Sequence, residues 1–129
     1  GLRYGKWTFW SENGQIHEMR NFKDGKQVSN TKYYYYENGQ IEEEGNFKDG
    51  KLDGKWTWWY ENGQIESVAN YKDGKLDGKE TWWYENGQIM IERNYKDDHI
   101  DGKWTEWFEN GQKMFESNHK DGECISGDC

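Results

Sequence analysis

The sequence contains no proline, and its only two cysteines lie among the last six residues. It has no apolar run near the ~20 residues of a membrane-spanning helix, so no such helix is predicted. No signal-like segment is present, but the chain starts at Gly1 inside a repeat, and we therefore expect its N-terminus to be truncated. Hydrophobic residues make up only 32% of the chain whereas aromatic residues reach 18%, which argues against a layered globule with an aliphatic core.

Positive charge is also scarce, because 17 Lys and Arg face 25 Asp and Glu and the formal net charge is −8. A nucleic-acid partner is not expected, since phosphate backbones are bound through Lys and Arg. Direct binding to anionic lipid is unexpected for the same reason. The charged fraction of 33% would suit a disordered chain, but disordered chains are poor in aromatic residues, so a folded chain is predicted.

What the chain has instead is a repeat built around an Asn-Gly pair. The asparagines at positions 13, 38, 62, 86 and 110 are separated by 25, 24, 24 and 24 residues. Asn-Gly between two β-prone runs is typical of a two-residue type I′ hairpin turn, in which both central residues need positive φ. Five such turns are predicted, at Asn13-Gly14, Asn38-Gly39, Asn62-Gly63, Asn86-Gly87 and Asn110-Gly111.

The predicted turn at Asn62-Gly63 sets the register of the third hairpin, with Trp59 opposite Glu66 and Trp58 opposite Ser67. Side chains alternate between the faces of a strand. The first face would then carry Trp56, Trp58, Tyr60, Ile65, Ser67, Ala69 and Tyr71, and the second face Thr57, Trp59, Glu66, Val68 and Asn70. We expect the first face to be the buried one, with the large Trp rings lying over the small residues opposite them.

The hairpins are joined by Asp-Gly connections, such as Asp49-Gly50 followed by Asp53-Gly54, which we interpret as tight turns. A calcium loop is the alternative, although the spacing lacks the alternating ligands of an EF-hand. The second repeat enters its hairpin through one extra residue, so a bulge or a wider loop is predicted between Lys26 and Lys32. Residues 1–122 would form one all-β repeat domain of about ten strands, roughly 45–50 Å long.

Residues 123–129 form a separate C-terminal tail that holds Cys124 and Cys129. One interpretation is a small disulfide loop or a link between chains; the other, which is favoured, is a frayed tail with free thiols. Two cysteines alone cannot make a structural zinc site, which takes four ligands.

One column of the second face stays aromatic in every repeat, although its surroundings are polar: Trp10, Tyr35, Trp59, Trp83 and Trp107. The rings could simply pack on neighbouring Lys and Glu stems. They could equally form a binding face for a protein strand, a glycan or a cation, since aromatic residues are enriched in binding hot spots.

No catalytic motif, metal-ligand set or cofactor motif occurs, and a single sheet offers little pocket, so we expect no enzyme. His119 replaces an aromatic residue and is expected to pack in its place.

The unit GKWTWWYENGQI, followed by NYKDGKLDG, resembles the bacterial variant of the MORN repeat, including the YwqK-type family of antitoxins, from Gly5 to Gly122. This resemblance implies a single extended sheet of stacked antiparallel hairpins that makes protein contacts and carries no catalytic residues. The WWYENGQ pattern is also similar to the aromatic hairpins of choline-binding modules. That similarity implies an alternative function, the binding of choline or a glycan at the cell surface.

Overall fold

The computed structural model describes residues 2–129, which form one open antiparallel sheet and no helix. The thirteen strands are β1 (Gly5–Trp10), β2 (Ile16–Lys23), β3 (Lys26–Tyr35), β4 (Ile41–Lys48), β5 (Lys51–Trp59), β6 (Ile65–Lys72), β7 (Lys75–Leu76), β8 (Gly78–Trp83), β9 (Ile89–Lys96), β10 (His99–Ile100), β11 (Gly102–Trp107), β12 (Lys113–Lys120) and β13 (Glu123–Gly127).

The sheet is a meander in which strands that follow one another in the chain lie side by side. This confirms the predicted all-β, single-layer architecture of five hairpins. The strand count exceeds the predicted ten because the Asp-Gly connections contribute the short strands β7 and β10 and the C-terminal residues add β13. The described residues include no helix that is long and apolar enough to cross a membrane.

The Asn-Gly turns differ from the predicted type I′ turn. In the third hairpin the Tyr60 N–H donates to the Gln64 carbonyl at 2.8 Å, and the Gly63 N–H donates to the Tyr60 carbonyl at 3.0 Å. Only Gly63 of the Asn62-Gly63 pair has a positive φ, +89°. The loop therefore has three residues, a type I turn followed by a glycine in the left-handed region. Asn62 contributes its side chain instead, since its Oδ1 accepts from the Gln64 N–H at 2.9 Å.

A β-bulge beside each Asn-Gly turn compensates for the longer loop. Trp59 pairs with Ile65 and Trp58 with Ser67, so Glu66 is an additional residue on its strand. The predicted register is thus correct from Trp58 outward and wrong next to the turn. Because directly opposite residues share a face, Ile65 lies beside Trp59 on the second face and not on the first, where it was predicted. The same shift occurs in all five hairpins.

The type I′ geometry occurs at the Asp-Gly connections. Asp73 has φ +50° and Gly74 has φ +84°, and they join Lys72 directly to Lys75. Asp and Gly are among the residues that tolerate this left-handed conformation, as predicted for tight turns. Four residues after the Asp73-Gly74 turn, Gly78 also has a positive φ, +106°.

The second repeat contains the bulge that its extra residue predicts. Phe22 pairs with Gln27 and Asn21 with Ser29, which makes Val28 the additional residue. The first hairpin is also displaced along the second. Glu18 pairs with Lys32, whereas its counterpart Glu43 pairs with Trp58, two positions further along the repeat. A displacement of two residues preserves the faces of the sheet, because the side-chain period of a strand is two.

The sheet has no second layer, and burial arises where large rings cover small neighbours. A Cβ placed on Gly45 would lie 3.3 Å from the Trp56 ring, and Ser67 is only 4% exposed. The Trp56 ring thus lies over a small residue, as predicted for the first face, but that residue is Gly45 of the preceding hairpin and not Ala69 opposite it. The first face is nevertheless not uniformly buried, since Trp58 remains 38% exposed, and residues of the second face such as Thr105 are buried as well. A single layer leaves both faces open to solvent, so neither becomes a continuous core.

The C-terminal segment is ordered, unlike the frayed tail favoured from the sequence. Its strand β13 pairs with β12, and Cys124 forms a disulfide with Cys129. Asp128 extends the pairing, because its carboxylate accepts from the Glu116 N–H at 3.0 Å while its own N–H donates to the Glu116 carbonyl at 2.9 Å. These contacts cover part of the outer edge of β12.

Candidate interaction surface

The meander places the two kinds of turn at opposite rims of the sheet. We call residues 11–15, 36–40, 60–64, 84–88 and 108–112 the Asn-Gly rim, and residues 23–26, 48–51, 72–75, 96–99 and 120–123 the Asp-Gly rim. Each turn of the Asn-Gly rim carries one glutamate and no lysine or arginine. Every turn of the Asp-Gly rim contains at least one lysine. The charge of the sheet is therefore distributed unevenly between its rims.

A row of tyrosine hydroxyls links successive hairpins along the Asn-Gly rim. Tyr60 donates to the carbonyl of Trp83 at 2.6 Å, and Tyr84 donates to that of Trp107 at 2.8 Å. Tyr36 makes the same bond to Trp59 at 2.5 Å. The prediction from the sequence placed Tyr60 on the first face and gave no role to its hydroxyl group. The sequence does contain an indication of these hydrogen bonds. The last hairpin has no following hairpin whose Trp carbonyl could accept one, and it carries Phe108, which has no hydroxyl, at this position.

The aromatic column lies on the second face, next to this row. Trp10 pairs with Ile16, Tyr35 with Ile41, Trp59 with Ile65, Trp83 with Ile89 and Trp107 with Lys113. Trp10 is 60% exposed, whereas the other four are half-buried. These rings have both a packing contact, the isoleucine opposite in four hairpins, and an exposed part that a ligand could cover. The structure brings four of the five predicted residues, Tyr35, Trp59, Trp83 and Trp107, into one row. Trp10 is offset along the strands by the displacement of the first hairpin.

Shallow clefts open along the Asn-Gly rim between neighbouring hairpins. The cleft between the second and third hairpins is lined by Tyr35, Tyr36, Glu37, Asn38, Glu42 and Glu61. The next cleft is lined by Tyr36, Tyr60, Glu61, Asn62 and Glu85. Each cleft is thus flanked by the glutamates of two successive turns, and the first of them also contains a member of the aromatic column.

The tyrosines of these clefts are held in their neutral form. Burial raises the pKa of Tyr60, and the nearby carboxylates of Glu66 and Glu85 raise it further. Burial likewise raises the pKa of Tyr36, where Glu42, Glu66 and Glu61 add to the effect. A neutral hydroxyl can donate to the carbonyl of the next hairpin, which a tyrosinate cannot.

The first face is occupied by contacts of its own. The Arg93 guanidinium lies 2.6 Å from the Glu80 carboxylate and 5.2 Å from the centre of the Trp104 ring. Burial raises the pKa of Glu43. The Trp56 indole N–H forms no hydrogen bond of regular geometry, but it lies close enough to Glu43 to offset part of that rise.

The histidines do not form a common site. His119 packs against Trp104 with ring centres 5.5 Å apart, as predicted for an aromatic substitute, and His17 lies against Phe9 at 6.3 Å. Within residues 2–129 no group of three or more His, Cys, Asp or Glu side chains is arranged to hold a metal ion.

The family comparison matches the repeat that the turns define. The MORN repeat variant matches residues 3–24, 30–49, 52–73, 76–97 and 100–121, one match to each hairpin. Comparison with curated proteins found no match to this chain. The five matches span most of the sequence and fall on a sheet of five hairpins, and the chain therefore belongs to the MORN repeat variant family.

Proposed function

We propose that the chain is a non-enzymatic scaffold that binds a protein partner through its aromatic column. MORN repeats commonly act as scaffolds for protein or membrane interaction. The net charge of −8 favours a protein over an anionic lipid surface. A toxin would be one partner of this kind, in keeping with the antitoxin role that the sequence resemblance implies.

The observation that carries the proposal is the position of the column. Four of the aromatic residues form one row across the second to fifth hairpins, Trp10 lies two residues out of line with them, and none of the five is fully buried. Partly exposed aromatic side chains are enriched at the energetic centres of protein interfaces. The first face is less suited to this role, because its rings cover small residues and its Arg20 and Arg93 are paired with Glu18 and Glu80.

Trp82 and Trp83 provide a matched test, since they are adjacent, both half-buried and on opposite faces. Proteins captured from native cells by the unmodified chain would be compared with those captured by Trp83→Ala and by Trp82→Ala. We expect Trp83→Ala to weaken the affinity for the captured partner by about 2 kcal/mol or more. Trp82→Ala should retain that affinity.

Denaturant melts of both variants separate binding from folding. A core Trp→Ala substitution costs about 3–5 kcal/mol of stability. If Trp83→Ala lowers stability by such an amount and leaves affinity unchanged, the column is structural and the first face becomes the candidate surface. The alternative function, binding of choline or a glycan, is tested by thermal melts in the presence of choline or a panel of glycans. A rise in the melting temperature with one of these ligands, without a captured protein, would contradict the scaffold proposal.

A further inference from the structure

The turn glutamates of the Asn-Gly rim have no cationic partner within the described chain. The ion pairs found in residues 2–129 involve Glu18, Glu80, Glu92 and Glu116, and none involves a turn glutamate. The five turn glutamates are Glu12, Glu37, Glu61, Glu85 and Glu109. Four of these unpaired carboxylates thus lie in a row along one rim of the sheet, and Glu12 is set back from it by the displacement of the first hairpin.

One of the two clefts lined by these carboxylates borders the aromatic column. The cleft that contains Glu37, Glu42 and Glu61 is also lined by Tyr35, a member of the column. The following cleft shares Glu61 with it and adds Glu85. A ligand lying along the rim could therefore contact aromatic rings with its apolar groups and place one cation in each cleft.

The spacing of the hairpins restricts the shape of such a ligand. Successive hairpins are two strands apart, about 9.6 Å at the usual strand spacing. In a polyproline II segment every third residue lies on the same side, and three residues rise about 9.3 Å. In an extended strand the residues on one side are only about 6.7 Å apart. In a helix, residues seven positions apart lie on the same side, about 10.5 Å apart along the axis. This exceeds the spacing of the hairpins by about 0.9 Å for each hairpin.

We propose that the aromatic column and the turn glutamates together bind a basic polyproline II segment that crosses the strands, with Lys or Arg at every third position. This inference rests on the proposed function and specifies the chemistry of the partner. Aromatic grooves bind polyproline II segments because these segments are already extended and lose little entropy on binding. The carboxylates add selectivity for cations in register with the turns.

The probe is a fluorescent peptide of five Arg-Pro-Pro triplets, titrated with the full chain at physiological salt. The matched peptide has five Arg-Pro pairs followed by five prolines, so that composition and charge are the same but the arginines are closer together. We expect the triplet peptide to bind at least about tenfold more tightly, because only its arginines match the spacing of the clefts.

Substitutions at the rim test the role of the carboxylates. Glu61→Gln should weaken binding of the triplet peptide about two- to fivefold, as the loss of one exposed ion pair predicts. The triple variant Glu37→Gln, Glu61→Gln and Glu85→Gln should weaken it at least about tenfold. Glu123→Gln removes the same charge from the Asp-Gly rim and should leave binding unchanged.

Equal affinity for the two peptides, no binding of either, or an equal effect of Glu61→Gln and Glu123→Gln would each overturn this inference. The proposed function has its own readout, the loss of a captured protein on Trp83→Ala. A partner that depends on Trp83 but not on Glu61 would leave the scaffold proposal in place and reject the basic segment. Failure of both experiments would reject both.

Discussion

The hydroxyl of Tyr60 donates a hydrogen bond of 2.6 Å to the backbone carbonyl of Trp83, which lies in the next hairpin. The bond joins two repeats at the end of the strands, beyond the residues through which β6 and β8 pair. In a sheet without a second layer, stability comes from each hairpin and from its contacts with its neighbours. Tyr60 and its counterparts are therefore part of the interface between repeats.

Tyr60→Phe should lower the free energy of unfolding by about 1 kcal/mol, the typical net value of one hydrogen bond. The ring and its packing remain, so the loss reports the hydroxyl alone. Urea melts would measure it, with Tyr4→Phe as the control, since the Tyr4 side chain is 75% exposed. An equal, negligible effect of both substitutions would show that the bond adds nothing to stability.

The raised tyrosine pKa values predict a loss of stability in alkali. Burial is the main cause for all six tyrosines concerned: Tyr33, Tyr35, Tyr36, Tyr60, Tyr71 and Tyr95. A folded-state pKa above the unfolded value of about 10 contributes stability that is complete below pH 10 and is lost as the pH rises through the folded pKa. Stability should thus fall steeply above about pH 10.

Denaturant melts between neutral and strongly alkaline pH, together with tyrosinate absorbance, would follow this loss. Tyr60→Phe and Tyr71→Phe should each make the alkaline decline shallower, because each removes one group with a raised pKa. If stability falls with pH as steeply in both variants as in the unmodified chain, tyrosine ionisation is not the cause of the loss.

The period, the strand pairing and the tight Asp-Gly turns could be predicted from the sequence, because they depend on local patterns. The pair Trp56 and Ala69 is in register as predicted. The geometry of Asn62-Gly63 could not be predicted from that dipeptide, since both a type I′ turn and a type I turn followed by glycine accept it. The bulge at Glu66 depends on that choice, and it decides the face on which Ile65 lies.

The contacts between repeats also could not be predicted from the sequence. The Tyr60 hydroxyl donates to a backbone carbonyl 23 residues away. Every residue has such a carbonyl, so the residue type does not show which one accepts the bond. The tail was misjudged for a similar reason, because strand β13 is ordered by its pairing with β12 and by Asp128, contacts that its short sequence does not display. The aromatic row was visible from the sequence, but the adjoining clefts were not.

The observed turn predicts an asymmetric response at Asn62. In a type I′ turn Asn62→Gly would be harmless, because glycine adopts positive φ readily. Here φ at Asn62 is not positive, and its side chain accepts from the Gln64 N–H. Asn62→Gly should therefore cost about 1–2 kcal/mol, through the lost hydrogen bond and the greater freedom of the unfolded chain.

Asn62→Asp keeps the acceptor oxygen and serves as the matched control, with a smaller expected loss. Thermal or urea melts of the two variants give the comparison. A neutral Asn62→Gly would indicate that the loop adopts the two-residue turn instead.

The pair formed by Glu80 and Arg93 occupies the place that Trp56 and Ala69 hold in the preceding hairpin. The Glu80 and Arg93 side chains are 11% and 21% exposed, and the Arg93 Nε and Nη2 both donate to one Glu80 oxygen. Removing one partner leaves a largely buried charge, which is more costly than replacing the whole pair by apolar residues. Glu80→Ala or Arg93→Ala alone should cost about 2–3 kcal/mol, somewhat less than for a pair in a closed core.

The double variant Glu80→Trp with Arg93→Ala copies the preceding hairpin and should recover most of that loss. The large indole would then lie over a small residue, as the Trp56 ring does over Gly45. Urea melts of the two single Ala variants and this double variant would measure the effect, with the cycle closed by Glu80→Trp alone. A double variant as unstable as the sum of its single substitutions would show that the two positions are not coupled, and that the ion pair is not interchangeable with the aromatic arrangement.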